Sequence, residues 1–212
     1  MPADVLTLAE VIFLTLVLGT GIALLLKYGV ARGQPHPVID NILIRVNAWW
    51  VISALLGLAF LCGESGVYLL FVLASLLALR EFVTAGGGRW TDPRRLVPGL
   101  AVCMGGVSFA PALLALDLPG ATGRGGFLLM FLLLVSQLGD VFQYIWGKLA
   151  GRHALAPRIS PSKTVEGLVG GVLSASALGT ALAWMTPFTP WQAAGLALGI
   201  SLLGVLGGLL LS

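Results

Sequence analysis

Residues 127–146 read FLLMFLLLVSQLGDVFQYIW, and these twenty positions set the frame for the rest of the chain. At about 1.5 Å per residue, twenty helical residues span about 30 Å, the thickness of a bilayer's hydrocarbon core. Phe127–Trp146 is therefore expected to be a transmembrane helix, with Asp140 placed where an ionisable group is costly. Outward from it lie further apolar runs: Val5–Leu26, Val46–Leu61, Val67–Arg80, Leu96–Leu116, Val165–Met185 and Trp191–Leu211. Together they predict an all-α, polytopic transmembrane bundle of seven spans, read as one integral-membrane domain over residues 1–212.

Composition agrees. The chain is 58% hydrophobic and 10% charged, where soluble proteins average about 45–50% apolar and about 25% charged. Mean hydropathy is +0.98. Soluble, disordered and collagen-like classes are excluded, and 2 cysteines are too few for a disulfide framework. The first run is not expected to be a cleavable signal peptide, because Asp4 stands where a basic segment would be needed. Cys62-Gly63-Glu64-Ser65-Gly66 supplies the turn between the second and third runs. The third run is short, and Arg80 can snorkel to the interface at its end. No internal repeat suggests a two-halved transporter.

The charges sort by side. With the N-terminus outside, every one of the 12 basic residues except Arg124 falls on the cytoplasmic side. A bias of that strength predicts N-out, C-in orientation. It also accounts for the pI of 9.2 without any nucleic-acid partner.

Polarity inside the fifth span is concentrated. Ser136, Asp140, Tyr144 and Lys148 are four apart and share one helix face, with Gln137 and Gln143 beside them. A carboxylate at that depth costs about 2.5–3.5 kcal/mol on insertion scales, so it faces a wet cavity or a partner. The plain alternative is a polar contact between helices. In the loop beyond, Arg158, Ser160, Ser162, Lys163 and Thr164 gather hydroxyls and cations where a new helix is expected to begin within Ser160–Thr164. Ser160-Pro161 reads as a cap and first-turn pair, and Thr164 as a second candidate cap. Free amides there would suit a phosphate, although an ordinary capped helix gives the same string. Gly167, Gly170 and Gly171 read as small residues for close packing, and His36 and His153 as interface residues.

Two strings then stand together: Asp140-x-x-x-Tyr144-x-x-Gly147-Lys148-x-x-Gly151-Arg152, and Pro157-x-x-Ser160-Pro161-x-Lys163-Thr164-x-Glu166-Gly167-x-x-Gly170-Gly171. This pattern resembles the phosphatidate cytidylyltransferase (CDP-diacylglycerol synthase) family, closely from Ser136 to Gly171 and loosely over the multi-span layout. Gln143, Ser162 and Val165 depart from residues common in that family, which bears on lipid specificity more than on the reaction. The family's later Ser-x-x-Lys-Arg…Asp-Arg-x-Asp signature does not occur in these residues, so the chain is expected to be a truncated piece.

The resemblance implies a nucleotidyltransferase in a bacterial inner membrane, with its active face cytoplasmic. Its partners would be CTP, phosphatidate or a related phospholipid, and the membrane lipids; a homodimer is admitted. It implies Mg²⁺ as the divalent cation, Asp140 as metal ligand and catalytic residue, and Lys163 as catalytic phosphate clamp. Tyr144, Lys148, Arg152, Arg158, Ser160, Ser162, Thr164 and Glu166 would bind substrate, Glu166 by orienting Lys163 or joining the metal shell. Residues 1–212 alone are expected to be inactive, an expectation that CTP incorporation into lipid by this chain would overturn. Two other readings stay open: a non-catalytic transporter or assembly protein using Asp140 for ion coupling, and a CTP-dependent enzyme acting on another lipid.

The orientation is testable directly. With Cys62 and Cys103 replaced, single cysteines in 28–45, 80–95 and 148–163 should resist an impermeant thiol reagent in intact cells. Labelling from outside of a cysteine at position 154 would reverse the orientation.

Overall fold

The computed structural model describes residues 3–84, 92–116, 118, 124–157 and 160–210. It is helical almost throughout, an all-α polytopic membrane protein. Six helices are long and apolar enough to cross a bilayer: Ile12–Val30, Ile39–Leu61, Gly63–Thr84, Leu96–Ala115, Gly125–Ala150 and Pro190–Leu209. The run expected as a sixth span, Val165–Met185, holds a shorter apolar helix, Val165–Ala181. The chain forms two compact units, Met1–Leu70 and Phe71–Ser212.

The first unit is built on α1 (Ala3–Leu25), which widens into a π-helical turn at Leu26–Val30, and α2 (Pro37–Leu61). Lys27 Nζ joins the two, 2.6 Å from Asp40 Oδ1 and 2.9 Å from the Gln34 carbonyl. The His36 amide donates to the other Asp40 oxygen at 2.9 Å. The His36 ring caps α2 by accepting from the Ile39 amide. Deeper in the apolar run, Trp50 donates its indole N–H to Thr20 Oγ1 at 3.0 Å and meets Phe13 edge-on at 5.7 Å. The turn after α2 is tighter than expected. Cys62 ends α2, Gly63 takes the left-handed conformation (φ 75°), and α3 (Gly63–Thr84) starts there, so its span is full length.

In the second unit, the end of α3 buries Leu79 and Val83 against Cys103, with Phe82, Leu96 and Met104 around them. The fourth span is α4 (Pro93–Gly99), a π-helical stretch at Leu100–Gly106, α5 (Val107–Ala112) and a last 3₁₀ turn, Leu113–Ala115. Pro98 and Pro111 lie within it. A proline has no N–H for the helical ladder, and wider or tighter turns restore the pairing around it.

α6 (Gly125–Ala150), α7 (Val165–Ala181) and α8 (Pro190–Leu210) pack together. Gly167, Gly171, Ala175 and Gly179 recur every four residues on the buried face of α7. A methyl group on Gly171 would overlap Gln143, standing 2.9 Å from its Cα and N, and one on Gly170 would overlap the Trp146 ring. Gly167 faces Gly147 in the same manner. Lipid offers no hydrophobic drive between helices, so close backbone approach through small residues supplies the packing energy.

One local expectation is corrected. Ser160–Thr164 is a strand, β2, paired antiparallel with β1 (Ala154–Ala156), with Ala156 opposite Ser160 and Ala154 opposite Thr164. The helix begins after it, capped by Thr164, whose Oγ1 accepts the Gly167 amide at 3.1 Å. The extended backbone of a cap here continues backwards as a strand, because the hairpin partner supplies its hydrogen bonds.

Gly171→Val should therefore cost roughly 1–3 kcal/mol by overpacking, or about 2–12 °C in thermal midpoint for the detergent-purified protein. Gly199→Ala, where an added methyl meets nothing within 4 Å among the described residues, should leave the midpoint unmoved. Equal midpoints for both variants would show that the α6–α7 contact does not limit stability.

Candidate functional site

The expected stripe on α6 occupies two neighbouring faces. Gly139, Gln143 and Gly147 point into the three-helix packing. Gln143 Nε2 stands 3.5 Å from Ser201 Oγ on α8, and a methyl on Gly139 would lie 3.4 Å from the same oxygen. Rotated by one residue, about 100° around the helix, come Asp140, Tyr144 and Lys148. Asp140 and Lys148 are exposed and Tyr144 is half-buried. The Lys148 ammonium stands 5.8 Å from the centre of the Tyr144 ring, within cation–π range.

The β1–β2 hairpin stands over the end of α6. A methyl on Gly147 would sit 3.1 Å from Thr164 Oγ1. The amides at the start of α7 are spent within the hairpin: Val165 N–H donates to the His153 carbonyl at 2.9 Å, and Gly167 N–H to Thr164. An anion pocket of free helix-start amides is thus not formed at these two positions. Lys163 is partly buried and its Nζ lies against Gly208, near the end of α8. Ser160 is buried, Ser162 and Arg152 are exposed, and Thr164 is the cap. Arg158 lies outside the described residues.

Glu166 engages the hairpin rather than Lys163. Its Oε2 accepts from the backbone N–H of Arg152 (3.1 Å) and His153 (3.2 Å), and its Oε1 stands 2.6 Å from His153 Nδ1. These contacts line an open cavity of about 460 Å³ with Leu149, Ala150 and Gly151. Sequence reasoning missed this clamp and the Gln143–Ser201 contact. A lone buried serine in apolar α8 was the available signal for the second; nothing local marks His153 as the partner of Glu166.

No three His, Cys, Asp or Glu side chains among the described residues gather as a metal site. Mg²⁺ takes one or two carboxylates and completes its shell with phosphate oxygens and water. Asp140, an exposed carboxylate on the polar stripe of α6, fits that limited protein contribution.

Fold and site define an integral membrane protein with Lys148, Arg152, Lys163 and Glu166 at one end of a three-helix unit. The chain belongs to the cytidylyltransferase family, which matches residues 99–212. It is 34% identical over 160 residues to the uncharacterized protein YnbB of Escherichia coli, covering 72% of this chain and 53% of that protein. A phosphatidate cytidylyltransferase of Staphylococcus aureus is 36% identical over 83 residues, 38% of this chain and 32% of its own length. The enzyme of the same name from Staphylococcus saprophyticus is 53% identical over 45 residues, 21% of this chain and 17% of that one. The chain thus spans about half the length of YnbB and less of the others. No solved structure matches it.

Glu166→Ala should loosen the hairpin without unfolding the helices, since it removes the acceptor for two amides and the His153 ring. Limited trypsin digestion should cut after Arg152 several-fold faster, with α-helical circular dichroism retained. An unchanged cleavage rate would mean that β-pairing alone holds the loop.

Proposed function

We propose that this protein transfers a cytidylyl group from CTP to the phosphate of phosphatidate, giving CDP-diacylglycerol and pyrophosphate. The observation that carries the reading is the placing of Lys148 near the end of α6 and of Lys163 against the end of α8, with Asp140 about two turns deeper on the Lys148 face of α6, all inside the segment that matches the family. A phosphate oxygen of the lipid attacks the α-phosphorus of CTP, the bond to the bridging oxygen breaks, and pyrophosphate leaves with that electron pair. Such chemistry asks the protein for positioning and for charge placed where negative charge develops.

Lys163 clamps the nucleotide phosphates, and Lys148 and Arg152 add positive charge at the mouth. Arg158, Ser160, Ser162 and Thr164 belong to the same substrate-binding segment. Tyr144 packs beside the lipid headgroup, and Glu166 keeps the hairpin in register. Asp140 would hold Mg²⁺, which when bound neutralises phosphate charge. The basic residues orient this end towards the cytoplasm, at a bacterial inner membrane, where the nucleotide is supplied.

Expressed from its complete gene and assayed in detergent with radiolabelled CTP, phosphatidate and Mg²⁺, the protein should form CDP-lipid. Asp140→Asn should abolish turnover. Lys163→Ala should weaken CTP engagement roughly ten- to a hundredfold, the loss of one charge-assisted contact of about 1.5–3 kcal/mol. Label transfer only to a polyprenol or archaeol-type phosphate would reassign the lipid. Full turnover by correctly inserted Asp140→Asn would reduce the stripe to helix packing.

A further inference from the structure

Five glycines lie along α8: Gly195, Gly199, Gly204, Gly207 and Gly208. Among the described residues, a methyl group added to any of the first four meets nothing within 4 Å. Added to Gly208, it meets Lys163 alone, overlapping the ammonium nitrogen and standing 3.7 Å from Cε. Apart from its chain neighbours and α8's own adjacent turns, no other described atom lies within 4 Å of that position. The missing side chain at 208 therefore makes room for one group, the cation at the end of Lys163. Close packing between helices, which explains Gly171, does not explain Gly208.

We propose that Gly208 is a positioning residue for Lys163: its bare backbone seats the ammonium against α8, so that polyphosphate engagement at this end of the three-helix unit requires glycine at 208. The inference rests on the assignment of Lys163 as phosphate clamp and deepens it. Lys163 leaves a hairpin strand, and a free lysine stem of four carbons samples many rotamers. Docking on a helix restricts that freedom and fixes where the charge stands. A methyl at 208 would overlap only the far end of a flexible side chain, so α8 would stay folded and the ammonium would shift by about 1 Å. Displacements of that size are enough to cost up to about a hundredfold where groups must align.

The test uses inorganic triphosphate as the probe, with binding to the detergent-purified protein measured by titration. Gly208→Ala should weaken triphosphate about tenfold, Gly207→Ala should leave it unchanged, and in a Lys163→Ala background Gly208→Ala should have no further effect. In parallel, amine-selective labelling read by peptide mass should modify Lys163 faster in Gly208→Ala than in the parent or in Gly207→Ala. Binding by Gly208→Ala equal to the parent, or an equal loss with and without Lys163, would overturn the proposal. If the parent protein binds no triphosphate while Lys163 labelling still changes, the phosphate assignment fails and the seating of Lys163 on Gly208 stands. Unchanged labelling would overturn the seating itself.

Discussion

The approach of α6 to α7 across facing glycines is the constraint on which the site depends. Gly147 meets Gly167, and Gly171 lies against the backbone of Gln143, at separations that leave no room for a methyl group. In a membrane this contact cannot be replaced by burying larger apolar side chains, because lipid satisfies those equally well. It brings the start of α7 beside the end of α6, and with it the strand that carries Ser160, Ser162, Lys163 and Thr164. A side chain at 167 or 171 would move the hairpin as a body, since Thr164 sits over Gly147.

That contact also divides α6 between two tasks. Gly139, Gln143 and Gly147 serve packing, and the single polar group among them finds Ser201 on α8. Asp140, Tyr144 and Lys148, one residue along, stand on the neighbouring face, where the Lys148 ammonium lies over the Tyr144 ring. Buried polar groups in a bilayer are tolerated when a neighbouring helix answers them, whereas a carboxylate needs a wet or charged setting. The hairpin shows the same economy in its backbone. Glu166 takes up the Arg152 and His153 amides between α6 and β1, and Thr164 the Gly167 amide at the start of α7, donors that would otherwise be left unpaired.

Much of this was legible in the residues. Apolar length located six of the seven expected spans, because crossing hydrocarbon demands about twenty such positions whatever the neighbours are. Four-residue spacing located the polar stripe on α6, and Thr164 was a readable cap. Other features were not legible. The spans of α2 and α3 run beyond the apolar runs, since Asp40 and Glu64 can be carried inside helix ends that hydropathy alone would exclude. The strand at Ser160–Thr164 was hidden because a cap residue and a strand residue share the same extended backbone, and only pairing with Ala154–Ala156 distinguishes them.

By itself, then, the sequence determined the class: a polytopic helical membrane protein with costly polar groups in one span, and a motif typical of cytidylyl transfer. The first two follow from local quantities, namely hydropathy, period and residue type; the third rests on resemblance to a known family. The tertiary structure alone decided which partners the polar groups take: Gln143 with Ser201, Glu166 with His153 and two amides, Lys163 with Gly208. Each of those joins residues on different elements, from 13 to 58 positions apart where a hydrogen bond links them. Such distances along the chain carry no local signal, because the pairing is set by how closely the helix backbones approach.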